Sequence, residues 1–150
     1  QRIIFDSKLS LPLSSSVFSD EGSNRTTVCC KPEFEHTPKA DELRSVGVTI
    51  IPFVMNGDKT DLKATLKKLA EKLNISSILV EGGSEIFSSF TKENMIDELH
   101  IFTAPIIIGN GLHSFENIQI PSLDQALEFE VKSVSLSGTD IHTVLVRKQI

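Results

Sequence analysis

A carboxylate and two glycines directly follow a short apolar run near the middle of the chain. The run is residues 78–80, and Glu81, Gly82 and Gly83 come next, ahead of a segment with the composition of a helix. In an open α/β sheet, ligands collect beyond the carboxyl ends of the strands, where loops lead into helices. Because glycine has no Cβ, the pair can adopt positive φ and let a ligand approach the backbone closely. The stretch therefore indicates a ligand site at the carboxyl end of a strand whose apolar core is residues 78–80.

The start of the following helix adds a potential anion site. Its first N–H groups, near Ser84 and Glu85, have no acceptor within a helix and can point at a phosphate. The Ser84 hydroxyl can cap the helix or donate to that phosphate. Neither G-x-G-x-x-G nor G-x-x-x-x-G-K-[ST] occurs in the sequence. Two alternatives therefore stay open, namely that the glycines serve only the turn and that Glu81 is a solvated carboxylate at a strand end.

The cysteines and histidines form no metal or redox pattern. Cys29 and Cys30 are adjacent in an apolar context, where a bridge between neighbours is strained, and there is no C-x-x-C pair. We interpret them as reduced cysteines in or beside a strand of a cytoplasmic protein. No H-x-x-x-H spacing places two histidines on one helical face, so the sequence predicts no metal site.

Length and composition indicate one globular domain. The chain has 150 residues, of which 39% are hydrophobic and 23% charged, enough for a domain with its own core. The net charge of −5 argues against nucleic acid or an anionic membrane as a partner, because both bind basic faces. No apolar run approaches the roughly 20 residues of a membrane span, and no secretory signal pattern is present. We therefore expect a single domain over residues 1–150.

Short apolar runs alternate with helical patterns along most of the chain, which predicts β-α-β units and a largely parallel sheet. The predicted strands are RIIFD, TTVCC, VGVTIIPF, SSILV and DELHIFTAPIII. Short helices are predicted at KADELRS and GGSEIFSSFTKEN, and residues 19–25 are predicted as a turn or surface loop. The clearest helix has Thr60 or Asp61 as its expected N-cap and Asn74 as its expected end. Its apolar stripe is Leu62, Leu66, Leu69 and Leu73.

The last part of the chain alternates with a period of two. Residues 126–138 and 139–148 are two such segments joined by a tight turn at residues 137–140, which predicts an antiparallel hairpin. In the first segment the apolar positions change parity between Val131 and Val134. A β-bulge near Lys132 and Ser133 explains the change. The predicted sheet is therefore mixed.

Several of these stretches together resemble a known family. SILVEGGSEIFSSF followed by MIDELHIFTAPIIIGNG, and the opening RIIFDSKLSLPLSSSVF, resemble the C-terminal reductase domain of bifunctional riboflavin-biosynthesis deaminase/reductases. The resemblance implies a dihydrofolate-reductase-like fold, a three-layer α/β/α arrangement with a mixed, mainly parallel sheet and a C-terminal antiparallel hairpin. It also implies an NADPH-dependent reduction of 5-amino-6-(5-phosphoribosylamino)uracil, in which the ribosylamino side chain becomes ribitylamino. The protein would then mainly juxtapose two ligands in a dry cleft.

The resemblance also assigns roles to residues. It implies that Glu81 contacts the substrate sugar and that Ser7, in the D-S pair after the first strand, contacts the cofactor. Arg25 and Lys31, which flank the second strand, are candidates for the cation that the 2′-phosphate of NADPH requires. The segment that matches the family's NADPH-phosphate site is Gly83, Ser84, Glu85, Ile86, Phe87, Ser88 and Ser89. For Ile86 and Phe87 the alternative is that their side chains belong to the core and only their backbone meets the cofactor.

The chain also departs from the family pattern. The family's S-L-D-G-K-like first strand and the zinc deaminase signature, H-x-E with P-C-x-x-C, do not occur. The expected partners are a small-molecule substrate, a deaminase domain upstream in the intact protein and, because unpaired sheet edges favour association, a second copy of the chain. Two alternative functions stay open: a non-catalytic module for nucleotide binding or association, and a dihydrofolate-reductase-like reductase of another substrate.

Overall fold

The computed structural model describes residues 1–19, 23–116, 118 and 120–148. The chain divides into two compact units, Gln1–Ser77 and Ile78–Ile150, and each is described by itself. Of the turn predicted at residues 19–25, residues 20–22 lie outside the described part, and Ser23–Arg25 forms a 3₁₀ turn. Among the described residues, no helix has the length and apolar character needed to cross a bilayer.

A parallel sheet forms the centre of the first unit. Its strands are β1 (Arg2–Phe5), β2 (Thr26–Cys30) and β3 (Thr49–Pro52), in the order β1-β2-β3. All five residues of β2 are buried. A central parallel strand is covered on both faces, and this explains why its sequence, TTVCC, does not alternate between apolar and exposed positions. The three strands confirm the first three predicted from the sequence.

Helices cover the two faces of this sheet. The first unit also contains α1 (Ser16–Ser19), α2 (Pro38–Ser45), α3 (Leu62–Leu73) and a small hairpin of β4 (Met55–Asn56) with β5 (Lys59–Thr60). Leu43 of α2 clusters with Val28 and Cys30 on one face. Leu69 of α3 clusters with Cys29 and Ile51 on the other face. The first unit is therefore an α/β/α arrangement of three layers.

Local capping determines where the two longer helices begin and end. The Thr37 hydroxyl accepts from the N–H of Ala40 at 3.4 Å at the start of α2. The Asp61 carboxylate accepts from the N–H of Ala64 at 2.8 Å at the start of α3. Asn74 ends α3 in the left-handed region, with φ 51°. The predicted caps at Asp61 and Asn74 are confirmed.

The second unit combines one helix with an antiparallel sheet. The helix is α4 (Ser84–Lys92), and the strands are β6 (Glu98–Thr103), β7 (Phe129–Ser137) and β8 (Asp140–Arg147), in the order β6-β8-β7. The predicted hairpin is β7 with β8, and its turn contains Gly138 at φ 64°. The pairing shifts between Val131 and Ser133, so the bulge predicted from the change of parity is confirmed.

Two predicted strand segments are not strands. Residues 76–80, predicted as the fourth strand, belong to no strand or sheet, and Leu79 is 77% exposed. The fifth strand ends at Thr103, so residues 104–108 of the prediction are also irregular. A parallel strand requires a hydrogen-bonding neighbour, and residues 78–80 pair with no strand of the described chain. Within the described part of the chain, the parallel strands β1 to β3 and the antiparallel strands β6 to β8 form separate sheets.

Candidate cofactor-binding site

The start of α4 has the geometry of an anion site. Gly83 is the N-cap, and the N–H groups of Ile86 and Phe87 donate to its carbonyl at 3.0 and 3.2 Å. The N–H groups of Ser84 and Glu85 come before these first intrahelical bonds and so have no acceptor within the helix. A glycine cap has no side chain to accept from them. These donors, together with the helix dipole, fit the phosphate of a nucleotide cofactor.

The two glycines of the turn have different roles, and only the open approach at Gly83 was predicted. Gly83 has φ −65°, and Gly82 is not among the glycines with positive φ, so the expectation of positive φ at this pair is wrong. A Cβ at position 82 would lie 3.1 Å from the Cβ of Ile86. A Cβ at position 83 would meet no atom within 4 Å. Gly82 therefore permits close packing by Ile86, while Gly83 leaves the approach to the helix N-terminus open.

Glu81 lies two residues before the cap, in the irregular segment at residues 78–83. Its side chain is exposed, as is that of Glu85 in the first turn of the helix. Carboxylates in this position interact favourably with the positive end of a helix dipole. Glu81 thus presents a hydrogen-bond acceptor to solvent beside the anion site. It was predicted to lie at the end of a strand, but no strand directly precedes it.

The remaining side chains of the predicted cofactor segment are engaged within the chain. Ile86 packs over Gly82. The ring of Phe87 lies 6.1 Å from that of Phe115, between centroids. The Ser88 hydroxyl accepts from the N–H of Glu116 at 2.7 Å, and the Ser89 hydroxyl donates to the Glu85 carbonyl at 2.8 Å. The backbone N–H groups and the half-buried Ser84 hydroxyl therefore remain as the donors of this segment for a phosphate.

Ser7 belongs to the first unit, in the loop that follows β1. Its side chain is exposed, and the buried carboxylate of Asp6 organises the loop around it. Asp6 accepts from the Ser10 hydroxyl at 3.0 Å and from the N–H of Leu11 at 2.8 Å. Asp6 was not predicted as a site residue, although the sequence contains a signal for it, namely a carboxylate that directly follows an apolar run and precedes serines.

The pKa of Asp6 reflects this environment. Burial, the largest single influence, raises the pKa, but hydrogen bonds from Ser10, Leu11 and Lys8 together outweigh it. The pKa of the Asp6 carboxyl therefore lies below its usual 3.8. The ionised form is the one that holds the loop together.

The two candidate cations for a 2′-phosphate lie at opposite ends of β2. Lys31 directly follows the strand, and its N–H donates to the Ser7 carbonyl at 3.0 Å. Arg25 directly precedes the strand, at its amino end. Because β1 and β2 are parallel, Ser7 and Lys31 share the carboxyl edge of the sheet, where α/β folds bind their ligands. The geometry separates Arg25 from that edge by the length of the strand.

Cys29 and Cys30 are free thiols within β2, and both are buried. Burial raises the pKa of Cys29 to about 12 and also raises the pKa of Cys30. A thiol that stays protonated is a poor nucleophile and a poor metal ligand. In the part of the chain that the structure describes, no group of three or more His, Cys, Asp or Glu could hold a metal ion.

The predicted site residues thus form two sets. Gly83 to Ser89 share the first turns of α4, with Glu81 just ahead of them, in the second unit. Ser7 lies beside Lys31 in the first unit.

Comparisons with known proteins agree with this architecture. The family model described as the RibD C-terminal domain matches residues 1–143. A riboflavin biosynthesis protein RibD from Aquifex aeolicus is 39% identical over 140 residues, which are 93% of this chain and 36% of that protein.

Two solved structures are similar in fold. RibD from Acinetobacter baumannii, form 2, matches with a TM-score of 0.80 and 26% identity over 98% of this chain and 37% of that one. A Thermotoga maritima diaminohydroxyphosphoribosylaminopyrimidine deaminase/5-amino-6-(5-phosphoribosylamino)uracil reductase matches with a TM-score of 0.68 and 26% identity, again over 98% of this chain and 37% of that one. The chain therefore spans little more than a third of the length of each of these three relatives. These matches confirm the dihydrofolate-reductase-like α/β fold, and the chain belongs to the RibD C-terminal domain family.

Proposed function

We propose that the chain is an NADPH-dependent reductase of riboflavin biosynthesis that reduces the ribosylamino side chain of 5-amino-6-(5-phosphoribosylamino)uracil to ribitylamino. One observation carries the proposal: the segment that matches the family's cofactor site, Gly83 to Ser89, forms a helix start whose first N–H groups have no acceptor within the helix, with an open approach at Gly83. The Thermotoga relative, whose fold this chain shares, is named as a reductase of that substrate.

The chain's part in the reaction is to bind and orient. The N–H groups of Ser84 and Glu85, with the Ser84 hydroxyl, hold the cofactor's phosphates. When bound, NADPH supplies the hydride that reduces C1 of the opened sugar. Holding both reactants in a fixed orientation lowers the entropic part of the barrier.

Glu81 is proposed to hold the substrate. Its carboxylate is exposed beside the anion site and accepts hydrogen bonds only, which suits the hydroxyl groups of a sugar chain. A negative charge at that position would also stabilise the positive charge of the iminium-like C1 that accepts the hydride, a charge that the hydride then neutralises.

Selection of NADPH over NADH is proposed to rest on Lys31. The 2′-phosphate requires a cation at the carboxyl edge of the sheet, and Lys31 is at that edge, joined through its N–H to Ser7. Arg25, at the amino end of β2, does not meet this requirement. Ser7 contributes an exposed hydroxyl for the cofactor.

In the intact protein, we propose a deaminase domain upstream of the reductase. The Thermotoga relative is named as both deaminase and reductase, and this chain covers only 37% of it. The deaminase would supply the pyrimidine that the reductase consumes.

One observation also favours an association role. Because paired residues in a sheet lie on the same face, the registers place the side chains of Ile101, Val131, Val134, Leu136 and Ile141 together. We name these five residues the apolar face. Val131, Val134 and Leu136 are 64%, 62% and 76% exposed. Such a patch is typical of an interaction site, and we propose that a second copy of the chain covers it.

NADPH oxidation, followed by absorbance with the phosphorylated pyrimidine as substrate, tests the proposed function. We expect turnover that Glu81→Gln lowers by about 10- to 100-fold in kcat/KM, since a charged hydrogen bond is lost. Glu93→Gln, at the end of α4 and away from the anion site, is the matched control and leaves kcat/KM unchanged.

Other outcomes favour the alternatives. NADPH binding without turnover supports a nucleotide-binding module. Turnover of dihydrofolate but not of the pyrimidine supports a reductase of another substrate. Absence of both binding and turnover contradicts the proposal, and equal kinetics in Glu81→Gln and the unsubstituted chain contradict the role of Glu81.

A further inference from the structure

The hydroxyl of Ser88 is used in a way that the resemblance does not anticipate. Ser88 lies in the second turn of α4 and is 3% exposed. Its Oγ accepts from the N–H of Glu116 at 2.7 Å. Since a buried hydroxyl that is already bonded cannot also face a ligand in solvent, its side chain is a poor candidate for a phosphate contact.

A second contact joins the same two segments. The rings of Phe87 and Phe115 are 6.1 Å apart between centroids and inclined by 52°. Consecutive residues of the helix thus hold consecutive residues of the chain that follows β6. An aromatic pair and a buried hydrogen bond each stabilise such an attachment.

The attached segment is irregular and apolar. We name residues 104–116 the β6 loop. Among its side chains, Ile107 is fully exposed, at 101%, and Ile106, Ile108 and Leu112 are also exposed. Its attachment points lie one turn after the Ser84 and Glu85 N–H groups. The loop therefore reaches the helix close to the anion site.

We propose that Ser88 is a positioning residue, which fixes the β6 loop against α4 so that the loop forms one wall of the cofactor site. This inference rests on the proposed function. An apolar wall beside the phosphate-binding turn excludes water and so strengthens the electrostatic contacts made there. Ser88 then acts through Glu116 and does not touch the cofactor with its side chain.

Three measurements on the same variants test this inference: the Kd for NADPH by fluorescence titration, amide hydrogen exchange of the β6 loop, and KM and kcat from steady-state kinetics. In Ser88→Ala the N–H of Glu116 loses its acceptor. We expect faster exchange in the β6 loop, a Kd for NADPH raised about fivefold or more, and a KM for NADPH that rises while kcat stays the same. Thr91→Val is the matched control, because the Thr91 hydroxyl donates to the Phe87 carbonyl within the same helix, at 2.6 Å. It should change none of these quantities.

Phe115→Ala removes the contact from its more exposed side, so it provides a second variant in case Ser88→Ala does not fold. It should also raise the Kd for NADPH. Faster exchange in the loop with an unchanged Kd overturns the inference, because the loop is then no part of the site. Unchanged exchange in both Ser88→Ala and Phe115→Ala overturns it as well. Failure of the unsubstituted chain to bind NADPH contradicts the proposed function itself, and this inference with it.

Discussion

The backbone N–H of Lys31 donates to the carbonyl oxygen of Ser7 at 3.0 Å. This bond continues the parallel pairing of β1 and β2 beyond their carboxyl ends. It places a serine and a lysine side by side at the edge where α/β sheets bind ligands. Ser7 was predicted from the family resemblance and Lys31 from its charge, and this bond shows that the two residues are neighbours.

Replacement of Lys31 tests whether this arrangement selects NADPH. We expect Lys31→Ala to raise the Kd for NADPH by about 10- to 100-fold, because a charge-assisted contact with the 2′-phosphate is lost. The Kd for NADH should not change, since NADH has no such phosphate. Arg25→Ala should leave the ratio of the two Kd values unchanged. Calorimetric titration of both cofactors measures the ratio, and an equal loss for NADPH and NADH would contradict the role of Lys31.

The two glycines of the turn should respond differently to the same change. Gly82→Ala brings a Cβ to 3.1 Å from that of Ile86, so the free energy of unfolding should fall by about 1–3 kcal/mol. Gly83→Ala meets no neighbour and has an ordinary φ of −65°, so its cost should stay within about 1 kcal/mol. Urea denaturation compares the two variants. Equal stability of both would show that Ile86 does not pack over Gly82 in solution.

The carboxylate of Asp6 should make stability depend on acid pH. Its pKa in the folded protein lies below the usual 3.8, so the ionised form is stabilised by folding. That stabilisation is complete above pH 3.8 and is lost as the pH falls through the folded-state value. We expect the free energy of unfolding to decrease more steeply below about pH 4 in the unsubstituted chain than in Asp6→Asn. Denaturation curves at a series of pH values measure both slopes, and identical slopes would exclude a stabilised carboxylate at this position.

The apolar face should control association. Val134→Lys places a charge in the middle of that face and should convert a dimer into a monomer at the same protein concentration. Ser135→Lys lies on the opposite face of the same strand, because side chains alternate along β7, and should leave the dimer intact. Light scattering after size-exclusion chromatography gives both masses. A monomeric unsubstituted chain at high concentration would contradict the proposed second copy.

The hairpin and the helix caps could be predicted from the sequence because their determinants are local. The bulge between Val131 and Ser133 follows from the change in parity of the apolar positions alone. The cap at Asp61 and the left-handed Asn74 follow from residue type at the ends of a periodic segment. Each of these features depends on neighbours within a few residues, so no knowledge of the rest of the chain is needed.

The absence of a strand at residues 76–80 could not be predicted from local sequence. An apolar run shows that a segment avoids water, but a strand also requires a partner at hydrogen-bonding distance, and that partner is distant in sequence. The role of Ser88 was missed for the same reason, because it depends on Glu116, which lies 28 residues away.

Titration of the ¹⁵N-labelled chain with NADPH, followed through the amide signals of Ser84 and Glu85, tests the proposed cofactor site. We expect saturable shifts at these two amides, because their N–H groups are proposed to hold the cofactor's phosphates, and much smaller shifts at amides in the middle of α3. Saturable binding that leaves the signals of Ser84 and Glu85 unmoved would contradict it.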